Sequence, residues 1–146
     1  MEVGTIGIVG AGQMGCGIAH VAALSAFDVI LTDIDSEILD AGRASIADNL
    51  DRQIRRGTVD PADRDVILGR IKTSTHVKAH ADADLVVESA VERFEIKAEV
   101  FRQLDACCPT DTILASNTSS ISITRLGTTT SRPSRVVGMH FMNPVP

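Results

Sequence analysis

Residues 10–15 read Gly10-Ala11-Gly12-Gln13-Met14-Gly15, a G-x-G-x-x-G run directly after the apolar stretch Thr5–Val9. Gly10 permits a tight turn, Gly12 lets the backbone approach a pyrophosphate, and Gly15 allows a helix to pack closely on a strand. A helix opening at this point offers backbone N–H donors and partial positive charge to phosphates. The run alone is a weak signal, since a glycine turn can serve packing only. Asp33 strengthens it, following Gly15 by roughly the 20 residues that separate such a loop from the acid that binds a ribose diol. A carboxylate there repels a 2′-phosphate, and Ile34 and Asp35 offer no arginine to receive one. The pattern favours NAD over NADP as cofactor, with the glycines and Asp33 at the binding site.

A second group lies near the C-terminal end. His140 finishes an apolar run, and imidazole suits proton transfer near neutral pH. By itself, a histidine in this position is more often a satisfied structural group. Ser116-Asn117-Thr118-Ser119-Ser120 follows another apolar stretch and reads first as a helix start rich in capping hydroxyls. Glu92 and Lys97 read first as charges on a solvated helix face, in keeping with Glu95–Lys97–Glu99. Cys16, just inside the first helix, is open to a lowered pKa or to plain packing, and packing is the commoner fate. His20, His76 and His80 have no metal-ligand spacing, and no G-x-S-x-G hydrolase elbow is present. No metal is expected.

These residues need a scaffold, and the pattern supplies one. Strands are expected at Thr5–Val9, Asp28–Thr32, Ile71–Thr73, Leu85–Val87, Thr112–Ala115 and Arg135–Phe141. Helices are expected from the glycine loop to Ser25, from Ser36 as cap with Ile38, Leu39, Ile46, Leu50 and Ile54 on or near one face, from Asp60-Pro61, and over Glu95–Leu104. Alternating strands and helices predict an α/β fold with a doubly wound, mostly parallel sheet. Ligands in such sheets bind at the carboxyl ends of the strands. Residues 34–70 form an unusually long excursion between strands two and three, with room for an antiparallel helical pair.

The 146 residues carry a formal charge of −5, with 44% apolar residues, no Trp, no Tyr and 4 Phe. One domain over residues 1–146 accommodates that length. The acidity and lack of stacking aromatics argue against nucleic acid. No apolar run is long enough to span a membrane, and the N-terminus shows no targeting pattern. Three cysteines, two of them adjacent, fit a reducing compartment, so a cytoplasmic protein is expected.

The SNTSS run, the segment Gly138-Met139-His140-Phe141-Met142-Asn143-Pro144, the glycine loop, and Glu92 followed by Lys97 together resemble the 3-hydroxyacyl-CoA dehydrogenase family, over the whole chain. The likeness is to bacterial 3-hydroxybutyryl-CoA dehydrogenases in particular. It implies a Rossmann-type NAD-binding domain and an enzyme that interconverts (S)-3-hydroxyacyl-CoA and 3-oxoacyl-CoA, with a C4 substrate favoured. His140 is then the general acid/base. Ser119 reaches cofactor and substrate, Asn117 lies beside it, and Glu92 and Lys97 belong to the NAD side of the cleft. The family's two CoA contacts, a Ser and a Lys, fall at Asn49 and Arg56, within a run of four Arg (Arg43, Arg52, Arg55, Arg56) against Asp48 and Asp51. Without the resemblance, the same run reads first as solvated helix surface. The resemblance further implies a C-terminal helical, dimerising domain and a glutamate orienting the histidine. Neither is in this sequence, so the 146 residues alone are expected to lack activity, and the complete enzyme is expected to be a homodimer. Two other readings stay open: a related dehydrogenase acting on a carrier-protein thioester or free hydroxy acid, and a non-catalytic NAD-binding module.

Overall fold

The computed structural model describes residues 2–145. Six strands, β1 (Thr5–Val9), β2 (Asp28–Thr32), β3 (Ile71–Ser74), β4 (Leu85–Glu88), β5 (Ile113–Ser116) and β6 (Val136–Gly138), form one sheet in the order β3-β2-β1-β4-β5-β6. Every adjacent pair is parallel, so the sheet is parallel throughout. This is the doubly wound Rossmann order, whose direction of winding reverses between β1 and β4. The helices are α1 (Gln13–Leu24), α2 (Ser36–Arg55), α3 (Arg64–Gly69), α4 (Phe94–Cys107) and α5 (Ile123–Gly127).

Alternation along the strands divides the core between the two faces of the sheet. Val87 and Ala115 join Ile8, Leu31, Ile18, Leu39, Ile46, Leu50 and Ile67 under α1–α3. Their strand neighbours Val86 and Leu114 join Phe101, Leu104 and Leu126 under α4 and α5.

Five details differ from the sequence expectation. Asp35, not Ser36, caps α2, its carboxylate accepting the Glu37 N–H at 2.8 Å. Ile38 is 42% exposed while Gly42 is buried in its place. A Cβ on Gly42 would stand 2.6 Å from Cys16 Sγ, so a side chain would hold α2 off α1. The chain after Asp60 forms a 3-10 turn (Pro61–Asp63) before the short α3, and a second 3-10 segment (Val77–Asp82) precedes β4. β6 stops at Gly138, so His140 lies two residues beyond the strand.

Candidate active site

The carboxyl ends of the strands open into a cleft of about 1220 Å³. That exceeds the roughly 300–1,000 Å³ of ordinary small-molecule pockets and suits an elongated ligand. Its walls include Gly10, Gly12, Asp33, Ser89, Glu92, Asn117, Ser119 and His140, so β1, β2, β4, β5 and β6 all contribute.

At one end is the glycine loop. Gly10 has φ +103°, a conformation costly for any residue with a Cβ. A Cβ on Gly15 would collide with the Gly10 carbonyl oxygen, so α1 can approach β1 only with glycine there. Gly12 differs. Its φ is −72°, and a Cβ would meet nothing within 4 Å. The protein's own packing makes no demand for glycine at Gly12, so the bare backbone is open to a ligand. No side chain caps α1 and no acid occupies its first turn, which leaves the positive end of the helix to an external anion.

Asp33 sits in the same wall. Its Oδ2 accepts the Ala11 N–H at 2.9 Å and its Oδ1 the Asp35 N–H at 3.2 Å. The acid is thus tied to the glycine loop. Ala11 and Gly15 are buried and shape the loop, while Gln13 and Met14 line the cleft. Cys16 donates to the Ala11 carbonyl at 3.1 Å. Burial, with Asp33 nearby, pushes its thiol up to about 11, which excludes the lowered pKa that its helix position allowed.

At the other end, His140 Nε2 lies 3.3 Å from Ser119 Oγ, within hydrogen-bond reach. Asn117 joins the two segments, its Oδ1 accepting the Phe141 N–H at 2.7 Å. Glu92 accepts hydrogen bonds from Thr118 Oγ1 and from the Ser119 N–H, the latter at 3.3 Å. Burial raises the Glu92 pKa, but these bonds, with Lys97 and His140 nearby, hold it below the usual carboxylate range. Glu92 is therefore an anion at neutral pH, beside the imidazole.

Lys97 is not on a solvated face. It is 1% exposed and pairs with Glu88 at 2.7 Å, with a second bond to the Ala90 carbonyl at 3.2 Å. Glu88, which no motif marks, closes β4 and is fully buried. Its one signal was a carboxylate ending the apolar Leu85-Val86-Val87 run. Arg43 also has a structural task, donating to the Ile71 carbonyl at 2.7 Å. Asn49 lies in the C-terminal half of α2 and Arg56 caps its end, and neither is among the residues lining the cleft.

The family model described as 3-hydroxyacyl-CoA dehydrogenase, NAD binding domain, matches residues 5–146. The chain belongs to this family. NAD is accordingly its cofactor, and the open backbone at Gly12, the uncapped start of α1 and the Asp33 carboxylate fit that group. A 3-hydroxybutyryl-CoA dehydrogenase of Bradyrhizobium diazoefficiens is 50% identical over 141 residues, which take in 97% of this chain and 48% of that protein. A 3-hydroxyadipyl-CoA dehydrogenase of Escherichia coli is 42% identical over 146 residues, 100% of this chain and 31% of that protein. The crystal structure of (S)-3-hydroxybutyryl-CoA dehydrogenase from Ralstonia eutropha superposes with a TM-score of 0.96 at 43% identity, covering 99% of this chain and 51% of that one. The chain spans about half the length, or less, of the curated relatives it matches. Among the described residues, no helix is long and apolar enough to cross a membrane, and no cluster of ligating side chains is placed to hold a metal.

Proposed function

We propose that this domain serves an NAD-dependent 3-hydroxyacyl-CoA dehydrogenase in which His140 exchanges the proton of the substrate hydroxyl. The observation that carries the reading is the Ser119–His140 pair at 3.3 Å in the wall of the cleft that begins at the glycine loop. NAD, when bound, supplies the hydride acceptor. An oxygen lodged between Nε2 of His140 and Oγ of Ser119 can pass its proton to the imidazole while the serine hydroxyl donates to the developing negative charge. In the reverse direction the imidazolium returns the proton. Glu92, held ionised, accepts the Ser119 N–H and so helps hold the segment that carries the serine. Asn49 and Arg56 are the CoA contacts on this reading. Arg56 keeps the charge of a lysine and adds a fork that matches phosphate oxygens. A four-carbon acyl group accords with the names of the relatives from Bradyrhizobium and Ralstonia.

The test is a steady-state assay of the native dehydrogenase with acetoacetyl-CoA, a longer 3-oxoacyl-CoA and a carrier-bound analogue. His140→Gln is expected to lower kcat on the order of 10²–10⁴-fold with NADH affinity kept. Near-normal turnover would remove His140 from the chemistry. Indifference of the reaction to competing free CoA would redirect the substrate assignment to a carrier-protein thioester or free hydroxy acid.

A further inference from the structure

The turn at residues 117–120 has no regular hydrogen bonding of its own, yet it carries the serine that faces His140. Its first residue is held by the backbone, the Asn117 N–H donating to the Glu88 carbonyl at 2.9 Å, and its far end by Thr118 Oγ1, which accepts the Ile121 N–H at 3.0 Å; between them one series of side-chain bonds starts at a buried carboxylate. Glu88 Oε1 accepts from Lys97 Nζ on α4 and from the Ala90 N–H in the turn after β4, both at 2.7 Å. Its other oxygen accepts from Ser116 Oγ, at the end of β5, at 2.6 Å. With its proton committed to Glu88, Ser116 Oγ presents a lone pair to the Thr118 N–H at 3.2 Å. Thr118 in turn donates to Glu92, which accepts the Ser119 N–H. Each bond is directional, and the sequence of bonds ends at the backbone of Ser119.

A buried ion pair is a poor device for stability alone. Desolvation of both charges cancels much of their attraction, and an apolar pair of similar volume does as well or better. What such a pair supplies is geometry, since a carboxylate that accepts three hydrogen bonds from three segments fixes them relative to one another. Glu88 stands where the sheet changes its direction of winding, between the helix α4 and the turn that carries Ser119.

We propose that Glu88, acting through Ser116, is a positioning residue that aims the Ser119 hydroxyl at His140. The inference rests on the reading of Ser119 and His140 as the reacting pair, and the test separates the two.

Ser116→Ala removes the link while sparing the Glu88–Lys97 pair and changing little volume. The readout is the titration of His140 followed by NMR in the chain itself, which has four histidines to resolve. The wild type, Ser119→Ala, Ser116→Ala and the double variant form a cycle. Ser119→Ala is expected to move the His140 midpoint, Ser116→Ala to move it in the same sense, and the second substitution to add little to the first. A full Ser119→Ala effect in the Ser116→Ala background would overturn the proposal, even if Ser116→Ala lowered the melting temperature, because that would show a merely structural role. No effect of Ser119→Ala in the wild type would overturn it as well, and would remove the Ser119–His140 contact from the functional reading too. The paired variant Glu88→Gln with Lys97→Met, which removes both charges together, is expected to reproduce the loss of coupling. Coupling retained in that variant would assign the positioning to Ser116 without Glu88. In the native dehydrogenase, Ser116→Ala is expected to lower kcat about tenfold with NADH affinity within twofold of the wild type.

Discussion

Alanine at Gly12 separates what the glycine loop does for the fold from what it does for a ligand. At φ −72° the new Cβ is unstrained, and with no atom inside 4 Å it is uncrowded. Fewer unfolded conformations stabilise the variant by about 0.4–1 kcal/mol. Alanine is a poorer helix cap than glycine, which offsets this by a similar amount. The net change is within about 1 kcal/mol, so the melting temperature moves by no more than about 4 °C. NAD affinity has no such compensation. Gly12 lines the cleft at the start of α1, so on this reading a Cβ there keeps a pyrophosphate from the α1 donors, and each charge-assisted hydrogen bond lost costs about 1.5–3 kcal/mol, a weakening of roughly tenfold to a hundredfold. Gly15→Ala is the contrasting control. Its Cβ collides with backbone that cannot yield, so the fold loses stability along with binding. Thermal melts by circular dichroism and titration by NADH fluorescence measure both quantities, and the absence of Trp and Tyr leaves the nucleotide signal uncontested. A Gly12→Ala chain that binds NADH as tightly as the wild type would refute the placement of the diphosphate at this loop.

Asp33→Ala is expected to weaken NADH binding and narrow the preference over NADPH; unchanged discrimination in parallel titrations would count against the diol role. Stability should depend on pH through His80, which is fully buried, hydrogen-bonded to Thr32 at 2.9 Å, and pushed by burial from 6.5 to about 4. Between those values the unfolded chain takes up a proton that the folded one refuses, so stability rises as pH climbs from about 4 to about 6.5 and is level above. At about 1.4 kcal/mol per pH unit the gain is about 3 kcal/mol. Urea unfolding across that range checks it, and His80→Gln, which can keep the bond to Thr32, should flatten the slope.

The sheet was legible because most of its strands are short β-branched or aliphatic runs, and the parallel order follows from helices between them. The glycine loop and Asp33 were legible because their spacing is set by one βαβ unit, a local constraint. Glu88 was not. Its side-chain partners lie nine and twenty-eight residues away, and pairing across that distance leaves no period in the sequence. The solvated-face reading of Lys97 failed for a related reason, although Lys97 does line the cleft. Glu95 and Glu99 flank it with the alternation of a wet surface, yet it shares its buried side of α4 with Ala98, Phe101 and Leu104. The boundaries of α2 and β6 moved because a cap is chosen by the rotamer of one side chain, and an edge strand ends where its single neighbour stops pairing.

The bond from Ala11 to Asp33 matters to anyone who would convert this domain to the phosphorylated coenzyme. Swapping the acid for arginine would invite the extra phosphate but abandon the acceptor that steadies the first loop, so the exchange should fall short on its own. A successful redesign has to supply a new anchor for that amide at the same time.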